Sequence, residues 1–198
     1  MQPTTRRLIL AATATAAAGT LAAAALFRKP APQIFSPVAA ETPALQRLGM
    51  IRPKPDPTPP ADAVFLNAAG AEHRLSDFAG QGLVVNLWAT WCVPCVVEMP
   101  ALQAMARILA PERITVLALS SDRGGAAVVE KFYTAHKIDA LAIWLDPKGA
   151  AARAWSVRGL PTSLIIDRAG REVARLEGAF DWSTESALAE LRRLVGPQ

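Results

Sequence analysis

From Val64 onward, apolar and polar positions fall into blocks that switch between a strand period and a helix period. "VFLNAAGAEHRL" reads as two short strands around an Ala-Gly turn. "GLVVNLWA" is a continuous apolar run, as expected of a strand buried on both faces. Met99, Leu102, Met105, Ala106 and Leu109 then recur at three- and four-residue steps and predict an amphipathic helix. "RITVLALSSD" predicts another buried strand, followed by a helix over Ala126–His136. "LAIWLD" predicts a third strand and "GAAARAWSV" a short helix. "TSLIIDRAGREVARLEG" is a hairpin turning at Arg168–Gly170, and a helix over Glu185–Leu194 closes the chain. Such an alternation, ending in a hairpin and a helix, implies an α/β fold with a central mixed sheet flanked by helices and an N-terminal β-hairpin extension.

Upstream the pattern differs. Arg6 and Arg7 precede twenty uncharged residues, Leu8 to Phe27, which at helical rise span about 30 Å, one hydrocarbon core. The run is longer than the roughly 7–15 apolar residues of a cleaved signal, which favours a retained anchor. Ten Ala, three Thr and one Gly make it weakly hydrophobic, and "VAA" at Val38–Ala40 offers a late cleavage site, so cleaved export is the second choice. Nine of the sixteen prolines lie in residues 28–61, ending in "RPKPDPTPP". Such a segment forms a semi-rigid spacer. The expected organisation is an anchor or uncleaved signal over 1–29, a proline-rich linker over 30–60 and one domain over 61–198.

Composition changes this picture in one respect. The pI of 9.5 and net charge of +4 look like an argument for nucleic acid, but the charge is uneven. Residues 1–60 carry seven basic and two acidic side chains, while residues 61–198 carry fourteen and fifteen. The domain is close to neutral, which removes the case for nucleic acid.

The chain has two cysteines, Cys92 and Cys95, two residues apart where a buried strand gives way to a helix. Helix N-termini present free N–H groups and a positive dipole end, which lower a thiol's pKa from about 8.5. Cys92 is therefore the candidate nucleophile. Cys95, one turn further in, is the candidate resolving thiol that attacks a mixed disulfide on Cys92. Pro94 stiffens the loop, and Trp91 offers an apolar face beside the attacking sulfur. A zinc ribbon would need a second cysteine pair, and neither histidine, His73 nor His136, has ligand spacing to this one. A structural disulfide across so short a loop would constrain the unfolded chain little. No metal and no cofactor beyond the cysteine pair is expected.

The run "NLWATWCVPCVVEMPAL", then "GLPTS" before "LIID", then "GAFDWSTESALAELRRL" resembles the thioredoxin-like family. Its membrane-anchored TlpA, ResA and CcmG branch is the nearest match, TlpA most of all. The resemblance spans about residues 61–195, and the anchor and proline-rich spacer also fit it. It implies a thioredoxin-like fold with Pro161 as the cis-proline beside the cysteines. The Leu160 backbone would then be free to pair with an extended client, making Trp91, Pro94, Leu160 and Pro161 the substrate-binding residues. It also implies that Glu98 is the acid kept near the site, a proton shuttle if burial raises its pKa. Spacing alone would equally allow an exposed helix glutamate. Asn86 occupies the position where cytoplasmic thioredoxins bury an Asp, and Pro100 matches a proline that kinks the helix. Trp88, Trp144, Trp155 and Trp182 read as packing residues.

These readings converge on a monomeric thiol–disulfide oxidoreductase on the periplasmic face of a bacterial inner membrane, reducing disulfides of client proteins. The resemblance implies clients with CxxC-type disulfides: a copper-site assembly factor, an oxidase subunit or apocytochrome c. It also implies a membrane electron donor. Two alternatives stay open. One is an oxidase inserting disulfides, because potentials of such pairs range from roughly −270 to −120 mV. The other is a Cu(I)-binding chaperone using both thiolates.

Overall fold

β4 (Gly82–Trp88) organises the domain: all seven of its residues are buried, and it has neighbours on both sides. A computed structural model describes residues 52–197. The expected anchor and the linker up to residue 51 lie outside the described residues. β4 pairs in parallel with β5 (Ile114–Ser120) and antiparallel with β7 (Thr162–Ile166). β1 (Arg52–Thr58), β2 (Phe65–Asn67), β3 (Glu72–His73), β6 (Trp144–Leu145) and β8 (Glu172–Glu177) complete one mixed sheet ordered β1-β8-β7-β4-β5-β6-β2-β3. The helices are α1 (Val93–Leu109), α2 (Ala126–His136), α3 (Ala150–Ala154) and α4 (Glu185–Val195).

Alternation along the central strands sorts their side chains into two cores. Val84 and Trp88 of β4 join Met99, Leu102 and Met105 of α1 and Leu188 and Leu191 of α4 on one face. Leu83, Val85 and Leu87 join Ala151 of α3, Trp155 and Phe65 on the other. Asn86 shares the parity of Val84 and Trp88, so its amide enters the face that α1 covers. All four tryptophans expected to pack do so: Trp88, Trp155 and Trp182 are buried, and half-buried Trp144 stacks edge-on against Phe65 and Phe78.

The strands and helices largely follow the predicted blocks, with two differences. "LAIWLD" narrows to the two residues of β6, which bridges β5 and the expected hairpin, β2–β3. The end of the proline-rich stretch, read as spacer, is instead the edge strand β1 against β8. Proline lacks the N–H a central strand must donate, but an edge strand needs donors on one side only. Lys54 fastens it, its Nζ donating to the buried Glu172 carboxylate at 3.1 Å, and Arg175 holds the same carboxylate at 2.7 Å.

At the start of β4 the last turn of α4 approaches so closely that a Cβ on Gly82 would lie 2.2 Å from Val195 Cγ1 and 3.2 Å from Ile114 Cγ1. Gly82→Ala is expected to destabilise the domain by about 1–3 kcal/mol in urea unfolding. Adding Val195→Ala, which vacates that space, should make the double variant less destabilised than the sum of the two single changes.

Candidate active site

Register places the chemistry-bearing segments at one end of the sheet. Leu87 faces Thr162, Trp88 faces Ser120, and Thr162 faces Glu177. The loops that follow β4, β5 and β8 and the loop that precedes β7 therefore meet there. These loops carry Cys92, Asp122, Phe180 and Pro161. Strand C-terminal ends are the usual place for a site in an open α/β sheet.

Cys92 is the N-cap residue of α1, extended at φ −89° and ψ 98°, with Pro94 in the first turn. Cys92 and Cys95 are disulfide-linked, their Cα atoms 5.3 Å apart. Cys95 is fully buried and Cys92 nearly so, while Trp91 between strand and helix is 69% exposed. The Leu160–Pro161 peptide is cis. Pro161 is buried, its carbonyl accepts the Gly178 N–H at 2.9 Å, and Leu160 is half-buried. The Pro161 loop is thus tied to the end of β8.

Glu98 is 4% exposed and faces the sheet beneath the cysteines' helix. Asn86 Nδ2 donates to Glu98 Oε1 at 2.8 Å and to Ser163 Oγ at 3.0 Å, and the Phe180 N–H donates to Oε2 at 3.2 Å. Burial penalises the carboxylate more than these donors favour it, so the pKa rises from 4.5 to about 7. An exposed helix glutamate, the alternative that spacing allowed, is not what the fold produces.

Beside the cysteines lies an apolar groove of about 560 Å³. Val93, Pro94, Val97 and Ala101 of α1 form one wall, Ala179 and Phe180 the other, and Glu98 also lines it. Val93 and Val97 are 73% and 70% exposed, large apolar side chains left facing solvent. Of the predicted site residues, Pro94 and Glu98 line this groove, and Trp91, Leu160 and Pro161 do not. The groove itself was missed. Its signal is the apolar pair Val93 and Val97, at helical spacing but off the stripe made by Met99, Leu102 and Met105. Ser163 and Asp122 were also missed, since each acts through a partner distant in sequence.

The model of the AhpC/TSA family matches residues 55–173, more than half of the chain. The chain belongs to the AhpC/TSA family. Within reach of this family match stand the ResA thiol-disulfide oxidoreductases. That of Geobacillus kaustophilus is 35% identical over 109 residues, 55% of this chain and 62% of the relative. That of Bacillus thuringiensis subsp. konkukian is 28% identical over 134 residues, 68% and 75% of the two chains. The chain thus spans less than two thirds of the first of these relatives. Among solved structures, a Chlorobium tepidum protein assigned as thiol:disulfide interchange protein DsbE superposes with a TM-score of 0.62 at 26% identity, covering 71% of this chain and 99% of its own. The thioredoxin-like fold and the resemblance to the group that includes ResA are both shown. The family's relatives carry thiol–disulfide oxidoreductase chemistry, and a vicinal cysteine pair at a helix N-terminus is the equipment that chemistry needs.

The raised pKa of Glu98 couples its proton to folding. Its folded value, about 7, lies above the unfolded 4.5, so the native state binds the extra proton between those limits. Stability from this group is fully present below pH 4.5 and is lost as pH rises through 7. At about 1.4 kcal/mol per pKa unit the loss is on the order of 3 kcal/mol. Urea unfolding of the oxidised protein should show that decline between pH 4.5 and 8, and Glu98→Gln should flatten it. An unchanged slope in the variant would show that Glu98 does not titrate in this window.

Proposed function

We propose that the protein is a membrane-tethered thiol–disulfide oxidoreductase on the periplasmic face of the inner membrane, reducing disulfides in client proteins. The observation that carries this reading is the convergence on α1 of a cysteine pair at its N-terminus, a buried carboxyl with a near-neutral pKa and an apolar groove. The uncharged run Leu8–Phe27 would supply the tether, and the ResA relatives support the activity.

In this reading the Cys92 thiolate, favoured by the helix N-terminus, attacks one sulfur of a client disulfide and releases the other client sulfur as a thiolate. The client strand lies along Leu160 and Pro161, with Trp91 and Pro94 against its apolar side chains. Cys95 then gives up its proton and attacks Cys92 Sγ, so that the Cys92–Cys95 disulfide forms and the second client thiolate leaves. Two electrons pass to the client. Glu98, close to half ionised at neutral pH, accepts the Cys95 proton as a shuttle and returns it to solvent through the groove. A membrane electron donor restores the dithiol. The clients proposed are CxxC-type disulfides in a copper-site assembly factor, an oxidase subunit or apocytochrome c, and no cofactor takes part beyond the cysteine couple.

Cys95→Ser removes the resolving thiol and should leave clients disulfide-linked to Cys92. Expressed with its full N-terminal segment in the native host, the variant is expected to yield mixed disulfides with periplasmic CxxC proteins, releasable by dithiothreitol and absent from a Cys92→Ser/Cys95→Ser control. Recovery of no partner while Cys92 remains alkylatable would overturn the reductase reading.

A further inference from the structure

Asp122 is a buried carboxylate that the exchange steps above do not use. It lies two residues past the end of β5, is 4% exposed, and faces the loop that delivers the cysteines. Its Oδ2 accepts the Thr90 N–H at 2.9 Å and the Ser120 hydroxyl at 2.8 Å. Its Oδ1 accepts the Thr90 hydroxyl at 2.7 Å. Its own N–H donates to Ser120 Oγ at 3.0 Å, and the neighbouring Ser121 N–H donates to Trp88 O at 2.9 Å. The chain from Trp88 to Thr90 is therefore fastened to the β5–α2 loop by both its backbone and a side chain. Cys92 follows two residues later, its N–H closing a turn on Ala89 O at 3.1 Å.

Burying a carboxylate costs several kcal/mol unless charge-assisted hydrogen bonds offset it, and two of the three made here go to one residue, Thr90. The bonds do not involve the disulfide, so they remain when it opens, together with the Val96 N–H on Cys92 O at 3.0 Å, which holds Cys92 to the helix from the other side. In the oxidised protein the S–S bond itself keeps Cys92 beside Cys95. In the dithiol that covalent link is gone, and the approach of the two sulfurs depends on how the β4–α1 loop is held. Holding two reacting groups together raises their effective concentration, which favours ring closure in both rate and equilibrium.

We infer that Asp122 is a positioning residue of the redox site: through Thr90 it keeps the Cys92 thiol within reach of Cys95 after reduction. This rests on thiol–disulfide exchange at Cys92 and Cys95.

The test is equilibration with glutathione, in which the protein disulfide and two glutathione thiols give the dithiol and glutathione disulfide, two electrons entering the protein. Three variants separate the possibilities. In Asp122→Asn one acceptor oxygen becomes an NH2 donor, so the side chain no longer accepts all three bonds from Thr90 and Ser120. Thr90→Val keeps shape and the Asp122 charge but removes the hydroxyl. Thr90→Ser keeps both bonds. The expected result is a shift toward the dithiol on the order of tenfold in D122N, about 30 mV upward in potential. T90V should shift several-fold in the same direction, and T90S should stay within twofold of the parent. Resolution of a glutathione mixed disulfide on Cys92 should slow in step. A parent-like equilibrium in both T90V and D122N, even with a lowered melting temperature, would overturn the inference and leave Asp122 a packing residue. If D122N does not fold, the T90V and T90S pair decides. A parent in which Cys92 exchanges with neither glutathione nor dithiothreitol would instead overturn the oxidoreductase reading and this inference with it.

Discussion

The Glu98 carboxyl is confined between α1 and the central sheet, where water reaches it from the groove side alone, and the hydrogen bonds that compensate come from two other elements. Asn86 reaches it from β4 and the Phe180 N–H from the loop after β8. Asn86 spends its second amide hydrogen on Ser163 of β7, its partner across the sheet. One buried acid thus ties together the strand before the cysteines, the helix that carries them, the strand after the cis peptide and the groove loop. Any displacement of these elements would leave a buried carboxyl under-bonded, a cost that keeps the site's parts in register.

The location of the acid has a consequence for its chemistry. An acid on β4 at position 86 would lie within the sheet, away from the groove. With Asn at 86 and Glu at 98 the titrating group belongs to α1 and also lines the groove. The strand keeps a neutral donor, which favours the anion without itself titrating. Burial still outweighs the donors, and the balance settles near neutrality rather than far above it.

Much of this arrangement is legible in the chain because it is local. The run "NLWATWCVPC" states a buried strand, a short loop and a helix start within ten residues, and Glu98 follows at a spacing that one helical turn explains. The mixed sheet follows from the period changes, and the cis-proline from resemblance at "GLPTS". What stayed hidden depends on pairings between distant segments. Asp122 closes "SSD", which reads as an ordinary loop until β5 is set beside β4 and brings it to Thr90, 32 residues earlier. β1 was hidden for a different reason. Prolines argue against a strand on local grounds, and only the presence of the β8 edge, with Glu172 waiting for Lys54, gives "RPKPDPT" a place to pair.

The groove shows the same limit from the side of hydrophobicity. Val93 and Val97 continue the apolar character of α1 around to a face the core does not cover, so pattern alone blurs two stripes into one. The structure separates them: Met99, Leu102 and Met105 are buried against the sheet, while Val93 and Val97 stay exposed. Glu98 lies between the two stripes, bonded to the core side through Asn86 and lining the open side with Phe180. Anything apolar that fills the groove removes water from the open side of that carboxyl and so favours its protonated form. Occupation of the groove and the protonation of Glu98 are therefore linked by position.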